Sequence, residues 1–508
     1  VRALILPVLV PFLTTVTLAL VNGRHTLEKG IALASTLGLT AFVYGLLAYV
    51  DRHGVQAMVV GGWAAPFGIA FVADRLTCIM LCLSMTIASV ALIYTLGTVD
   101  ERQQRYFFYP LFTVTLLGVN WCFITGDLFN LFVGYEVMLI GSYGLMMVGA
   151  SRAQVRETFR YVVLNGIGST LFVVGCGLVY ATVGTLNMAD LAGRTAALGG
   201  QQAALVSAVS LVLLVVFALK SATFPLFFWL PGSYPVVPAG VNGYFAGLLT
   251  KVGVYSLLRM FVMVFRQDGQ ALAIDTLLGL AGITMLLGVL GAMCQWDISQ
   301  VLAWHSVSQV GYMIMGIGLA NDPAMAELAI VGTILFVVHH GIVKSSLFLI
   351  GGIAERAVGT QDLKRLGGLV ELAPAAAGLF LVAGLSLAGV PPFSGFLGKL
   401  VLVRAGLGAG AYLTVFAALA TGFLTLYSMV KVWRWAFWGA PCRTAPAVAH
   451  GALAAPTLVL VVLTAALGMG AAPFLRLAHD AARELRDPRA YTAAVLQPGR
   501  DLAAATRR

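Results

Sequence analysis

Apolar runs long enough to cross a bilayer follow one another along nearly the whole chain. This recurrence constrains the fold more than any motif does. A membrane-crossing helix needs about 20 apolar residues. Runs of that order fall at 3–21, 30–50, 71–97, 106–125, 128–149, 158–183, 203–230, 240–265, 273–293, 298–320, 326–353, 373–402, 409–438 and 452–474. Polar segments at 22–29, 51–53, 100–105, 151–157, 184–202 and 355–371 separate many of them. The chain is 60% hydrophobic and 10% charged, where a soluble domain carries about 25% charged residues. The expectation is an all-α polytopic membrane protein of about 14 transmembrane helices. The first run is apolar almost from its start and leads to no small-residue cleavage site, so it reads as a helix rather than a cleaved leader. Residues 475–508, rich in Arg, Asp and Glu, read as a polar surface helix or extension.

Charge serves topology in such a chain. The net charge is +10, with arginine concentrated in loops and the tail. No basic patch is interleaved with aromatics, so a nucleic-acid partner is not expected. Connections after odd-numbered runs hold Arg24, Lys29, Arg102, Arg105, Arg152, Arg156, Arg356, Lys364, Arg365, Arg434 and Arg443. Those after even-numbered runs hold mainly Arg52, Arg194, Arg266 and Arg404. The positive-inside rule then places the N-terminus outside. With 14 helices the tail is outside too, and its arginines conflict with that placement. Cys78, Cys82, Cys122, Cys176, Cys294 and Cys442 are scattered and form no metal-ligand spacing. Zinc or iron–sulfur ligation is not expected.

Two runs are interrupted by proline. One break is Leu219-Lys220-Ser221-Ala222-Thr223-Phe224-Pro225, running on to Trp229-Leu230-Pro231-Gly232; the other spans Gly389-Val390-Pro391-Pro392-Phe393-Ser394-Gly395. Proline removes a backbone donor and clashes with the preceding turn, so these breaks must be shielded from lipid. They fall in the seventh and twelfth runs. That spacing predicts two inverted five-helix repeats with two broken helices, and an ion path at the breaks. The expected organisation is 1–97 for helices 1–3, 106–265 for the first repeat, 273–438 for the second, 452–474 for helix 14, then the tail.

Eight ionisable residues inside the runs are singled out as candidates: Glu136, Lys220, Lys251, His305, His339, His340, Lys344 and Lys399. A charge at the bilayer centre costs about 2.5–3.5 kcal/mol on insertion scales. A lone lysine such as Lys251 or Lys399 can snorkel, and His305 or His339 can be a packing residue. Glu136 in Tyr135-Glu136-Val137-Met138 needs a partner. His340 and Lys344 share one helix face at i and i+4. As a set, these groups suit stepwise proton passage, with histidine titrating nearest neutrality.

At these residues the chain resembles the large proton-translocating subunits shared by respiratory complex I, membrane-bound hydrogenases and Mrp-type cation/proton antiporters. The resemblance runs through Asp127-Leu128-Phe129-Asn130-Leu131-Phe132-Val133 with Tyr135-Glu136-Val137-Met138, then Lys220-Ser221-Ala222-Thr223-Phe224-Pro225 with Pro231-Gly232-Ser233-Tyr234. It continues through Leu249-Thr250-Lys251-Val252-Gly253, His339-His340-Gly341-Ile342-Val343-Lys344, and Pro391-Pro392-Phe393-Ser394-Gly395-Phe396 with Lys399. Pro-Gly-Ser-Tyr after Trp229 looks like the D-type subunits of Mrp antiporters. The resemblance implies that Glu136 pairs with Lys220, that Lys251 links the two half-channels, that His340 and Lys344 lie between, and that Lys399 is the other key site. It also implies a multi-pass protein of the bacterial inner membrane that works with other subunits of a hetero-oligomeric antiporter complex. Such a subunit carries the proton movement of sodium/proton exchange, is not itself an enzyme, and holds no metal, flavin or quinone.

Three readings follow. The chain is a subunit of a sodium/proton antiporter; or it is a proton-pumping subunit of a redox-driven complex; or its buried charges only hold helices together. One acid against four lysines and three histidines weakens the last, because a structural network balances buried charge. Asp127, Asn130, Thr223 and Ser394 offer further oxygens for sodium, which prefers several, but nothing in the sequence assembles them.

Overall fold

The computed structural model describes residues 2–265, 267, 270–439 and 451–496. Arg266, Cys442, Arg443 and the tail beyond residue 496 lie outside the described residues. The helices in chain order are α1 (Leu6–Leu20), α2 (His25–His53), α3 (Arg75–Leu96), α4 (Phe108–Ile124), α5 (Leu128–Met147), α6 (Arg152–Val183), α7 (Gly200–Ser221) and α8 (Ala239–Leu258). They continue as α9 (Ala271–Cys294), α10 (Ile298–Gly318), α11 (Ala326–Val358), α12 (Pro374–Ala388), α13 (Ser394–Gly408), α14 (Tyr412–Val432), α15 (Gly451–Met469) and α16 (Ala472–Arg486). Among the described residues, eleven helices are long and apolar enough to cross a membrane unaided. The three remaining expected runs fall on α4, on α10 and on the interrupted pair α12–α13. The spans containing α3, α8 and α11 have 89, 94 and 89% of their apolar windows buried, against about a third for α1 and α2. The first three are therefore the heart of the bundle, and α1 and α2 present most of their surface outward.

One expectation is corrected. The third run reads as helical from residue 71, but Gln56–Val59 and Ala70–Ala73 pair as an antiparallel hairpin, and α3 starts only at Arg75. Asp74 ends the strand and caps the helix by accepting from the Thr77 amide at 2.9 Å.

The two central stretches echo each other. α5 begins at Asp127, which accepts from the Asn130 amide at 2.8 Å; α10 begins at Asp297, which accepts from the Gln300 amide at 3.0 Å. Each cap residue bridges to the segment that follows the next long helix, Asp127 to Asn187 and Asp297 to Asp362. Those long helices, α6 and α11, run 32 and 33 residues and stop at the left-handed glycines Gly184 and Gly359. Both following helices then break, at Ala222 and at Gly389. The helices after the breaks both wind into π-turns, Arg259–Val264 and Trp433–Phe437.

The described part of the tail packs back onto the bundle. α16 lies across the ends of α2, α3 and α11. Arg476 pairs with Asp51 at 3.0 Å, Glu484 with Arg75, and Arg483 and His479 with Glu327 at 3.1 Å. It therefore sits on the side of the connections after even-numbered runs. Arg476, His479, Arg483 and Arg486 of this helix engage Asp51 and Glu327 of the bundle, while Arg500, Arg507 and Arg508 lie outside the described residues.

Candidate functional site

The first cluster forms where α5, α6 and α7 meet. Glu136 on α5 is half-buried at the outer face, and Lys220 near the end of α7 is 3% exposed. Among the described residues no ion pair joins them directly. The Ser169 hydroxyl of α6 donates to Glu136 Oε1 and accepts from Lys220 Nζ at 3.3 Å. The lysine also donates to Asn165, to the backbone oxygen at 3.4 Å and to Oδ1 at 3.5 Å, and lies 5.6 Å from the Tyr135 ring centroid. Sequence reasoning missed Ser169 and Asn165. They occupy one face of α6 at i and i+4, and this polar pair in an apolar run was the available signal.

Close helix packing holds the lysine there. A Cβ on Gly253 of α8 would come within 2.5 Å of Ser221 N and 2.8 Å of the Lys220 carbonyl carbon. Backbone cannot yield as a flexible side chain does. Gly253→Ala is expected to push the end of α7 outward, to cost about 1–3 kcal/mol as other overpacking does, and to lower exchange activity. Thermal unfolding of the purified complex alongside its transport rate checks both.

At each break a side chain donates to helix-end carbonyls, which lack a full set of intrahelical donors; the Leu219 oxygen at the first also accepts from the Ala222 amide at 3.1 Å. At the first, Trp229 Nε1 donates to the Leu219 oxygen at 2.8 Å. At the second, Lys399 of α13 donates to the oxygens of Leu387 and Ala388 at 3.0 and 2.9 Å, with Nζ 5.0 Å from the Tyr312 ring centroid. A cation at a helix C-terminus is also favoured by the helix dipole.

The groups between are fully buried. Lys251 on α8 donates to the Ala246 oxygen of its own helix. Lys344 on α11 reaches the Leu302 oxygen of α10 at 2.7 Å. His305 of α10 is hydrogen-bonded through Nε2 to Ser428 of α14 at 2.9 Å, leaving Nδ1 without a partner. His339 is bonded through Nδ1 to Ser394 at 2.8 Å, and Ser394 shares a 2.6 Å hydrogen bond with Thr464. Neither ring nitrogen of His340 has a partner.

Among the described residues, no two of the eight groups bond directly to each other, and none takes part in an ion pair. Apart from His340, they are held by hydroxyl, carbonyl and amide oxygens rather than by a closed salt-bridge network. An amine or imidazole held this way has no fixed counter-charge, so it can change protonation without breaking an ion pair. The four oxygens considered for sodium do not converge. Asp127 and Asn130 close the cap of α5, Thr223 shares a 2.9 Å hydrogen bond with Ser221, and Ser394 belongs to the His339 network. Burial pushes the Asp127 carboxyl up to about 6 despite its cap bonds.

Comparison with known proteins places this arrangement. The family described as NADH:quinone oxidoreductase/Mrp antiporter, transmembrane, matches residues 125–425. The chain is similar to the D-type subunit of the Na+/H+ antiporter of Alkalihalophilus pseudofirmus, at 42% identity over 97% of this chain and 99% of that one. It superimposes on a chain of the Mrp complex from Dietzia sp. with a TM-score of 0.90 at 33% identity, covering 97% of this chain and 99% of the other. A chain of the membrane-bound sulfane sulfur reductase, an archaeal respiratory membrane complex, gives a TM-score of 0.88 at 25% identity, with 97 and 99% covered. Over residues 125–425, from the cap of α5 into α14, this chain belongs to the NADH:quinone oxidoreductase/Mrp antiporter family of membrane proteins.

Proposed function

We propose that the chain is the proton-translocating membrane subunit of a multi-subunit Na+/H+ antiporter. It is a multi-pass protein of the bacterial inner membrane, a transporter subunit rather than an enzyme, and works in a hetero-oligomeric complex. The observation that carries this is end-to-end similarity to a D-type antiporter subunit at 42% identity. The similarity to the respiratory reductase chain is lower, at 25%, so a redox-driven pump is the less supported reading.

Protons move along the membrane midplane through Glu136, Lys220, Lys251, His305, His339, His340, Lys344 and Lys399. Two units carry them, 106–265 and 273–438. The paired caps, the paired breaks and the paired π-turns support that division. The unpaired cations support the path, since a proton added to or taken from a group without a fixed counter-ion need not break a salt bridge. The central groups lie on α8, α10 and α11, two of them the most enclosed helices, where water and lipid reach least.

Reconstituting the intact complex in vesicles tests the function. A sodium gradient is expected to drive proton movement of opposite direction with no redox substrate present. Glu136→Ala is expected to reduce that movement by about tenfold or more, the effect of roughly 1.4 kcal/mol on a rate-limiting barrier. Proton movement that requires an electron donor would instead favour the redox-driven reading.

A further inference from the structure

The first cluster contains a group that neither the row of ionisable residues nor the family resemblance singles out. Ser169 stands between the acid and the lysine, donating to Glu136 Oε1 and accepting from Lys220 Nζ at 3.3 Å. Asn165, one turn earlier on α6, holds the same ammonium through its oxygens at 3.4 and 3.5 Å. The close approach of α6 and α7 that makes this possible is set at Gly168, where a Cβ would meet Leu219 Cδ2 at 2.4 Å. The lysine is deeply buried, whereas Glu136 and Ser169 are half-buried at the outer face. The hydroxyl therefore lies on the line from the bundle interior to its margin.

We propose that the Ser169 hydroxyl is an obligatory bridge that carries the proton between Lys220 and Glu136. The proposal rests on the proton path described above. In one transfer, a Lys220 N–H bond breaks and its proton joins Ser169 Oγ. The Ser169 O–H bond breaks at the same time, and that proton joins the Glu136 carboxylate. An ammonium and a carboxylate become a neutral amine and a neutral acid, with no net change in protons and no co-reactant. Removing two charges from a poorly solvated site lowers their desolvation cost. When Glu136 passes its proton on, rotation of the hydroxyl restores the bridge. Asn165 contributes only acceptor oxygens to the ammonium. It positions the lysine and cannot replace the hydroxyl, which must donate and accept at once.

The test compares Ser169→Ala and Ser169→Thr in the intact complex, with Glu136→Ala and Lys220→Ala as controls and assembly followed by native gel. Sodium-driven proton movement and its pH profile are the readouts. Ser169→Ala is expected to lose about tenfold or more, in keeping with the contribution of a positioned proton-transfer group. Ser169→Thr is expected to keep the wild-type rate and pH profile, because its hydroxyl remains. Wild-type exchange in Ser169→Ala, beside inactive controls, would overturn the bridge and leave the path intact. Equal loss in both variants with full assembly would also overturn it, since a retained hydroxyl should have sufficed. Active controls would instead overturn the proton path itself.

Discussion

Lys399→Ala is expected to abolish sodium-driven proton exchange, lowering it by at least about tenfold, while the complex still assembles. The lysine stands at the break between α12 and α13 and meets the carbonyls of Leu387 and Ala388. Removing it strips two helix-end oxygens of their donor in the membrane interior, where no bulk water replaces it. That alone predicts a structural cost, so the alanine variant does not separate support from proton handling. Lys399→Arg does. Arginine supplies donors and a positive charge but cannot be deprotonated in a protein. If the amine only ties off the broken helix, arginine restores exchange. If the amine must give up its proton, arginine holds the break together and exchange stays lost. We expect the second result, because the Lys399 ammonium has no acid beside it among the described ion pairs and is held only by neutral carbonyls and the Tyr312 ring. Wild-type exchange in Lys399→Arg, measured in vesicles with matched complex content, would remove Lys399 from the proton path.

What the sequence disclosed follows from which forces act locally. Apolar runs were legible because bilayer thickness sets their length directly. The breaks at Pro225 and Pro391-Pro392 were legible because proline cannot complete a helix. The eight ionisable residues stood out because charge inside an apolar run is rare. What stayed hidden depends on how helices cross. Ser169 looks like any small polar residue of a membrane helix until α6 meets α7 at Gly168 and the lysine reaches it. The tail arginines looked like topology signals because their partners, Asp51 and Glu327, lie more than a hundred residues away in sequence. The hairpin at 56–73 was lost in the start of an apolar run, since four-residue strands carry too little alternation to read.

The same distance in sequence concealed the most deeply buried ion pair of the described residues, and a large stability effect is expected there. Arg259, in the π-turn after α8, is 1% exposed and donates to Asp74 Oδ2 and Oδ1 at 2.5 and 2.9 Å, to Thr77 at 3.2 Å and to the Tyr255 hydroxyl at 3.1 Å. Its guanidinium carbon lies 5.2 Å from the ring centroids of both Tyr255 and Tyr491, the latter beyond α16. One residue thus ties the hairpin, α3, α8 and the tail together. Arg259→Leu leaves a buried carboxylate without a partner and should cost about 3–5 kcal/mol. Adding Asp74→Asn removes that charge and keeps an acceptor for the Thr77 amide, so the double variant should be more stable than Arg259→Leu alone. Burial pushes the Asp74 carboxyl up, but the Arg259 charge and the hydrogen bonds from Arg259 and Thr77 outweigh it and hold the group below the usual carboxylate value. A lowered folded-state value means that the pair contributes fully above about pH 4, where the unfolded carboxyl is ionised. That contribution is lost only as pH falls through the lower folded value. In Arg259→Leu that opposing charge is gone and burial holds the lone carboxyl above its usual value, so the gap in melting temperature between wild type and Arg259→Leu should be largest at pH 9 and should not grow as pH falls toward 6. A gap that widens as pH falls across that range, or a double variant no more stable than the single one, would mean that Tyr255 and Tyr491 packing, rather than the buried charge, holds this junction.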